Sequence, residues 1–376
     1  MKSYLIRFLT FAAMMASWTY IPIFAREWQM SDTEIGSVVA FYSLALFLSS
    51  FVFGRGSDKY GRKLFLMVGL MLSATAFFLQ MFAQAFLALL IIRVLVGFCL
   101  GIFPSSLVAY VHEEKKDLSR FSSFGALGWA FGSFIAGSIA SYFSIKGIFV
   151  FSSLLFFVAF LTASRIKFGG HDLIDVPKFP IKIIKKNLSL YVAILIRQSG
   201  AHMIWTFWPL FLKSLDADLF WIGVIVTTNS LAQFVFMYTL SGKIKYVTSV
   251  IAGLFLSGIT FFSFTLARDY WQIIPTQILL GVSWSLMYVG GLRYLMDRNV
   301  EKATVSGLFD SVLSLSSIIG PFMATFLITL GGYSITMYLA SILAFTGFLS
   351  FIFSKPREGE GSPRAEHTQL VAAPTK

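Results

Sequence analysis

Twelve stretches of about 20 mostly apolar residues divide this chain, and each is long enough to cross the hydrocarbon layer of a bilayer as a helix. They run roughly over 4–25, 33–53, 64–83, 85–111, 121–142, 147–164, 188–213, 219–239, 247–266, 271–296, 303–330 and 334–354. In lipid every backbone polar group must be bonded within the spanning structure, so runs of this length fold as helices. Only 13% of the residues are charged, where a soluble domain carries about a quarter, and 57% are hydrophobic. Mean hydropathy is +0.77. Phe, at 42 residues, adds apolar area without a polar group that needs a partner. These features exclude an ordinary soluble protein and predict an all-α integral membrane protein.

The net charge of +12 would point to nucleic acid in a soluble chain, so the location of the charges decides its meaning. Once the spans alternate, Lys and Arg fall 23 on one side and 4 on the other, with Arg7, Arg93 and Arg197 left inside spans. By the positive-inside rule both termini are expected in the cytoplasm of a multi-pass plasma-membrane protein. The basicity is then an insertion signal and a contact for anionic lipid, and no nucleic-acid partner is expected. The first span, with Lys2 ahead of an apolar run, has the look of a signal peptide. Its internal copy argues against cleavage. Cys99 lies alone in an apolar run and forms no intramolecular disulfide.

The copy belongs to a repeat of the whole first half. Trp18, Tyr20, Pro22 and Phe24 align with Trp205, Phe207, Pro209 and Phe211, and Ile35–Gly36 follows at the same offset as Ile222–Gly223. Gly69, Ser73 and Phe77 match Gly253, Ser257 and Phe261, and Gly132, Phe134 and Ala136 match Gly320, Phe322 and Ala324. Six spans repeated in one topology predict two bundles related by an axis along the membrane normal, with substrate bound between them near the midplane. The expected organisation is a bundle over 1–164, a cytoplasmic linker over 165–187 with Gly169, Gly170, Pro177 and Pro180, a second bundle over 188–354, and a disordered tail over 355–376.

Between spans 2 and 3, Gly54, Asp58, Lys59, Gly61, Arg62 and Lys63 form a tight, charged loop. It resembles the loop signature of the major facilitator superfamily, and the resemblance extends over residues 1 to about 354. The likeness implies a twelve-helix transporter in which Asp58 meets the start of span 11 and Arg62 meets Glu113 or Glu114 at the end of span 4. The corresponding Gly242 to Tyr246 loop lacks the aspartate, so one such latch is expected. Arg93, Gly97 and Gly101 in span 4 resemble a second family pattern, whose arginine is read as a proton relay, an anion contact or a prop between helices. Gly125, Gly128, Gly132 and Gly137 in span 5 resemble the glycine-rich helix of family antiporters, with Ser133 where those carry proline and Pro321 instead in span 11, after Gly320. Small residues of this kind let helices approach closely.

Projected at 100° per residue, span 7 gathers Arg197, Gln198, Ala201, His202, Trp205, Trp208 and Pro209 on one arc. Arg197, Gln198, His202 and Trp205, with Trp18 and Tyr20 of the matching stretch in span 1, are the candidate substrate-cavity residues. Arg197 lies about 13 Å along its helix, close to the midplane, where it suits an anionic group or a bond to neighbouring carbonyls. Asp310, two turns into span 11, is the clearest intramembrane carboxylate; it, His202 and Arg93 are the proton-coupling candidates. Asp310 also fits a bond to the loop latch or to spans 4 and 5. Arg7 is expected to snorkel to the cytoplasmic interface. Ser31 and Glu34 read as a helix cap.

No HExxH, P-loop or CxxC is present and the histidines are scattered, so no enzyme activity, metal or cofactor is expected. The expectation is a monomeric secondary transporter for a small organic molecule, coupled to protons. Efflux of a hydrophobic drug or metabolite, transport of an organic anion by Arg197, and a non-transporting sensor on the same fold all fit the residues.

Overall fold

The computed structural model describes residues 1–166, 179–217, 219–240 and 243–354, which fold into helices joined by short turns. These are α1 (Lys2–Glu27), α2 (Asp32–Tyr60), α3 (Arg62–Leu79), α4 (Phe86–Leu100), α5 (Pro104–Glu113), α6 (Leu118–Tyr142), α7 (Ile145–Ser164), α8 (Ile181–Lys186), α9 (Leu188–Ser214), α10 (Leu219–Thr239), α11 (Tyr246–Phe264), α12 (Ile273–Arg298) and α13 (Lys302–Ser354). Among the described residues, 9 segments have the length and hydropathy to cross a membrane. Helices α1, α9 and α10, of 26, 27 and 21 residues, pack among them and complete the twelve.

Local chemistry sets where the rods begin and break. The Ser31 hydroxyl accepts from the Glu34 amide at 3.3 Å and the Glu34 carboxylate accepts from the Ser31 amide at 2.8 Å, a reciprocal cap that starts α2. Helices α4 and α5 make one span, Phe86–Glu113, which restarts at Pro104, a position whose missing N–H needs no helical acceptor. The last helix holds two spans, Lys302–Ile328 and Leu330–Ser354, separated by non-helical backbone at Gly331 and Gly332. Gly332, at φ 67°, sits in the left-handed region that favours glycine.

The two halves repeat their packing as well as their sequence. Helix α1 lies on α6 as α9 lies on α13; α2 lies on α4 as α10 lies on α12; α3 lies on α7 as α11 lies on α13. Between the halves, α2 runs along α13 and α6 along α10. The molecule is therefore a pair of six-helix bundles with a seam between them. Of the predicted linker, residues 181–186 form α8, whose Ile183 is buried, and residues 167–178 lie outside the described residues, as does the predicted tail.

Lipid offers no hydrophobic drive for helix association, so close backbone approach does the packing. A Cβ on Gly132 of α6 would stand 2.8 Å from the Cα of Ala12 in α1, and one on Gly128 3.1 Å from the Ala12 nitrogen. Gly101 would meet Ser49, and Gly97 the Tyr42 backbone, where α4 crosses α2; Gly320 would meet Ser199 and His202 of α9. Gly137 is the exception, since among the described residues its Cβ would find only the Tyr20 hydroxyl, at an ordinary contact of 3.5 Å. Gly132→Ala is therefore expected to lower stability by about 1–3 kcal/mol through overpacking, and Gly137→Ala to be neutral. The apparent melting temperatures of the two variants in detergent give the comparison.

Candidate functional site

At the face where α1, α3, α6, α9, α11 and α13 begin, Lys2 donates to the Arg165 carbonyl at 2.7 Å, closing α1 onto the end of α7. We call this the basic face. Here the α2–α3 turn passes under α13. Gly61, at φ 101°, makes the turn, and Asp58 is fully buried one turn before it. Its carboxylate accepts from the Ala303 amide at 3.1 Å, the Thr304 amide at 2.7 Å and the Thr304 hydroxyl at 2.6 Å. These are the free N–H groups of the first turn of α13, where the helix dipole favours a negative charge. Arg62, 2% exposed, lies 3.5 Å from Asp58 and pairs with Glu113 at the end of α5, while Glu114 turns to Lys116 at 3.7 Å. Gly54 brings α2 so near α13 that a Cβ would stand 2.8 Å from the Ala303 oxygen and 2.9 Å from the Gly307 Cα. Lys63 is exposed.

Two further contacts close the same face. Ser119, at the start of α6, donates to the Met237 carbonyl near the end of α10, and Arg120 stands 5.3 Å over the Tyr238 ring. Deeper along the seam, Ser311 of α13 donates to the Phe47 carbonyl of α2 at 3.1 Å.

Above this floor lies a cavity of about 240 Å³ between the bundles. One wall carries Arg7, Phe11, Met14 and Trp18 of α1, Tyr42 and Ser43 of α2, and Trp129 of α6. The facing wall carries Gln198 and His202 of α9, Gln233 of α10, Trp284 and Tyr288 of α12, and Asp310 and Ser314 of α13. It is mostly apolar, with seven aromatic side chains and a polar patch where the halves meet.

That patch overturns the expectation for Arg7. Rather than snorkelling to the interface, Arg7 is 5% exposed, donates to the Tyr288 hydroxyl at 2.9 Å across the seam, and lies 3.7 Å over the Phe11 ring. An aromatic stack and a hydroxyl on the other bundle hold it inward. Asp310 stands on the same cavity.

The span 7 arc divides. Gln198 and His202 reach the cavity, 3.5 Å apart. Arg197 does not: 2% exposed, it turns behind the wall, where Nε donates to the Ser257 hydroxyl at 2.9 Å and a terminal nitrogen to the Gln198 side-chain oxygen at 2.5 Å. Trp205 and Trp208, edge to face at 5.2 Å, pack into the second bundle with Phe264 rather than onto the cavity. In span 1, Trp18 lines the cavity and Tyr20 packs away from it beside Gly137. Arg93 is buried in the first bundle, donating to the Gln80 side chain at 3.1 Å and lying 4.1 Å over the Tyr42 ring; Ser17 donates to the same Gln80 oxygen at 3.4 Å. It joins spans 1 to 4 behind the wall. Sequence reasoning missed Tyr288, Trp284 and Trp129; the aromatic spacing of α12 offered a signal in Trp284 and Tyr288, which stack at 5.3 Å. Among the described residues no group of three or more His, Cys, Asp or Glu is placed to hold a metal ion.

The sequence model of the Major Facilitator Superfamily matches this chain twice, over residues 3–189 and 190–375. The chain belongs to the Major Facilitator Superfamily. Among superfamily relatives, the multidrug resistance protein MdtG of Proteus mirabilis is 23% identical over 368 residues, spanning 90% of this chain and 91% of that protein. The multidrug efflux pump PmrA of Streptococcus pneumoniae is 25% identical over 374 residues, spanning 92% and 93%. The crystal structure of the human organic anion transporter MFSD10 superposes with a TM-score of 0.74 at 16% identity, covering 93% of this chain and 98% of that one. This last likeness establishes the fold, twelve helices in two bundles. In this superfamily member, a multi-span membrane protein, the cavity lies on the seam between the halves.

Proposed function

We propose that the protein exports a hydrophobic aromatic molecule across the plasma membrane by alternating access, in exchange for protons, with its basic face in the cytoplasm. The observation that carries this reading is Asp310, the one carboxylate among the described residues lining a largely apolar, aromatic-bearing cavity. A carboxylate at membrane depth costs about 2.5–3.5 kcal/mol on insertion scales unless it faces protein or water, so it persists where it has work to do. The multidrug efflux relatives support the direction of transport and the substrate type.

The residues assign the steps. With Asp310 ionised, Arg7 on the first bundle is attracted to it and bonded to Tyr288 on the second, which holds the seam shut toward the cytoplasm. The Asp58 carboxylate on the α13 amides and the Arg62–Glu113 pair latch the same side. A proton taken by Asp310 from outside removes the charge that Arg7 answers, and the cytoplasmic seam loosens. The cavity then loads its substrate from the cytoplasm as the proton leaves, and the ionised form returns outward. Two bundles rocking about a midplane site need no other moving part.

The test is flux in inside-out membrane vesicles energised to an acid interior. Accumulation of a hydrophobic dye that stops when an ionophore collapses the pH gradient supports the reading. Accumulation indifferent to the gradient removes the proton from it.

A further inference from the structure

The charges within the membrane do not balance. Arg7, Arg93 and Arg197 all lie inside spans and are each at most 5% exposed, against Asp310 as the carboxylate away from either face among the described residues. Arg7 is committed to the Tyr288 hydroxyl and the Phe11 ring and shares the cavity with Asp310, and Arg93 is committed to Gln80 and the Tyr42 ring. Arg197 has no carboxylate within ion-pair distance among the described residues. Its fork instead holds the neutral oxygens of Ser257 and Gln198, with the rings of Phe261 and Trp284 at 5.1 and 5.5 Å.

Gln198 is the informative partner. Its side-chain oxygen, 2.5 Å from Arg197, occupies the place an anionic oxygen would take, and Gln198 itself stands on the cavity wall 3.5 Å from His202. Gln198 lines the cavity and Arg197 does not, so this one side chain stands between the guanidinium and the cavity. Guanidinium bonds to carboxylate are charge-assisted and two-pronged, whereas the amide gives one neutral acceptor, so an anionic group competes well for the position. The excess of positive charge around a low-dielectric cavity favours anions over cations in the same sense.

We infer that the α9 wall is a subsite for an acidic group, so that the transported molecule is an aromatic organic anion whose carboxylate displaces Gln198 from Arg197 while its rings rest on Trp284 and Trp129. The inference rests on the cavity being the transport site. It separates the two chemistries in space: the substrate's acid is read by Arg197, and the proton is read by Asp310 and Arg7.

The experiment uses the purified protein in nanodiscs and three probes of one shape: naphthalene-2-carboxylate, naphthalene-2-carboxamide and naphthalen-2-ylmethylammonium. Quenching of the cavity tryptophans reports binding. The carboxylate is expected to bind roughly tenfold tighter than the amide, and the ammonium weakest. Because Arg197→Gln removes a buried group from the second bundle and tests folding as well as binding, the decisive variant is Gln198→Glu, which keeps Arg197 and gives it a built-in anion. It is expected to weaken the carboxylate roughly tenfold and the amide far less. Equal or tighter binding of the ammonium, equal shifts of carboxylate and amide in Gln198→Glu, or no binding by any of the three overturns the subsite. Vesicle flux separates this from the export reading: flux driven by a pH gradient without charge preference sinks the subsite alone, and charge preference without flux sinks export alone.

Discussion

Asp58→Asn is expected to open the basic face of the seam. The carboxylate now accepts three hydrogen bonds from α13 in a fully buried position. An asparagine turns its amide donors toward backbone donors and leaves Arg62 with one acidic partner fewer. Breaking one side of a buried charged network costs about 3–5 kcal/mol. The bonds join the two bundles, so the loss falls on the closed arrangement and not on the open one. Even about 3 kcal/mol shifts the ratio of two states by roughly a hundredfold. Spin labels at Lys63→Cys and Val300→Cys, in a background of Cys99→Ser, measure the separation of the α2–α3 turn from the start of α13. The variant is expected to populate a longer distance that is rare in the parent. An unchanged distribution would show that the latch carries no conformational energy.

Asp310→Asn is expected to uncouple transport. Accumulation driven by a pH gradient falls to the leak of protein-free vesicles, while exchange of labelled for unlabelled substrate continues, since the aromatic walls are untouched. Arg7→Gln is expected to give the complementary result, because it removes the cation that shares the cavity with Asp310 from the opposite bundle and leaves Phe11, Trp129 and Trp284 in place. If Asp310→Asn accumulates substrate as the parent does, another group carries the proton.

The spans were legible in the sequence because the bilayer imposes one length and one hydropathy on every crossing helix. The α2–α3 turn was legible through its resemblance to the superfamily loop signature, which implied that Asp58 meets the start of α13 and Arg62 meets Glu113 or Glu114. Asp310 could be placed because a carboxylate in an apolar run must face protein or water. The cavity wall was only half legible. A helical projection finds the polar arc of α9, but it does not say which part of that arc meets another helix and which part meets open space. Gln198 and His202 point to the cavity, whereas Trp205 and Trp208 fill the second bundle and Arg197 turns between α9 and α11. Arg7 was misread for a related reason. Its distance from the helix end suits snorkelling, and only the partner bundle, which supplies Tyr288, changes the outcome.

The most direct measurement is proton movement caused by the substrate itself. Proteoliposomes holding the protein and a trapped pH-sensitive dye, with no initial pH gradient, are loaded with substrate and then diluted into substrate-free buffer, so that substrate runs outward down its own gradient. Export in exchange for protons predicts acidification of the lumen as protons enter, absent in Asp310→Asn. Outward substrate flux with no change in luminal pH, or with alkalinisation, would contradict it.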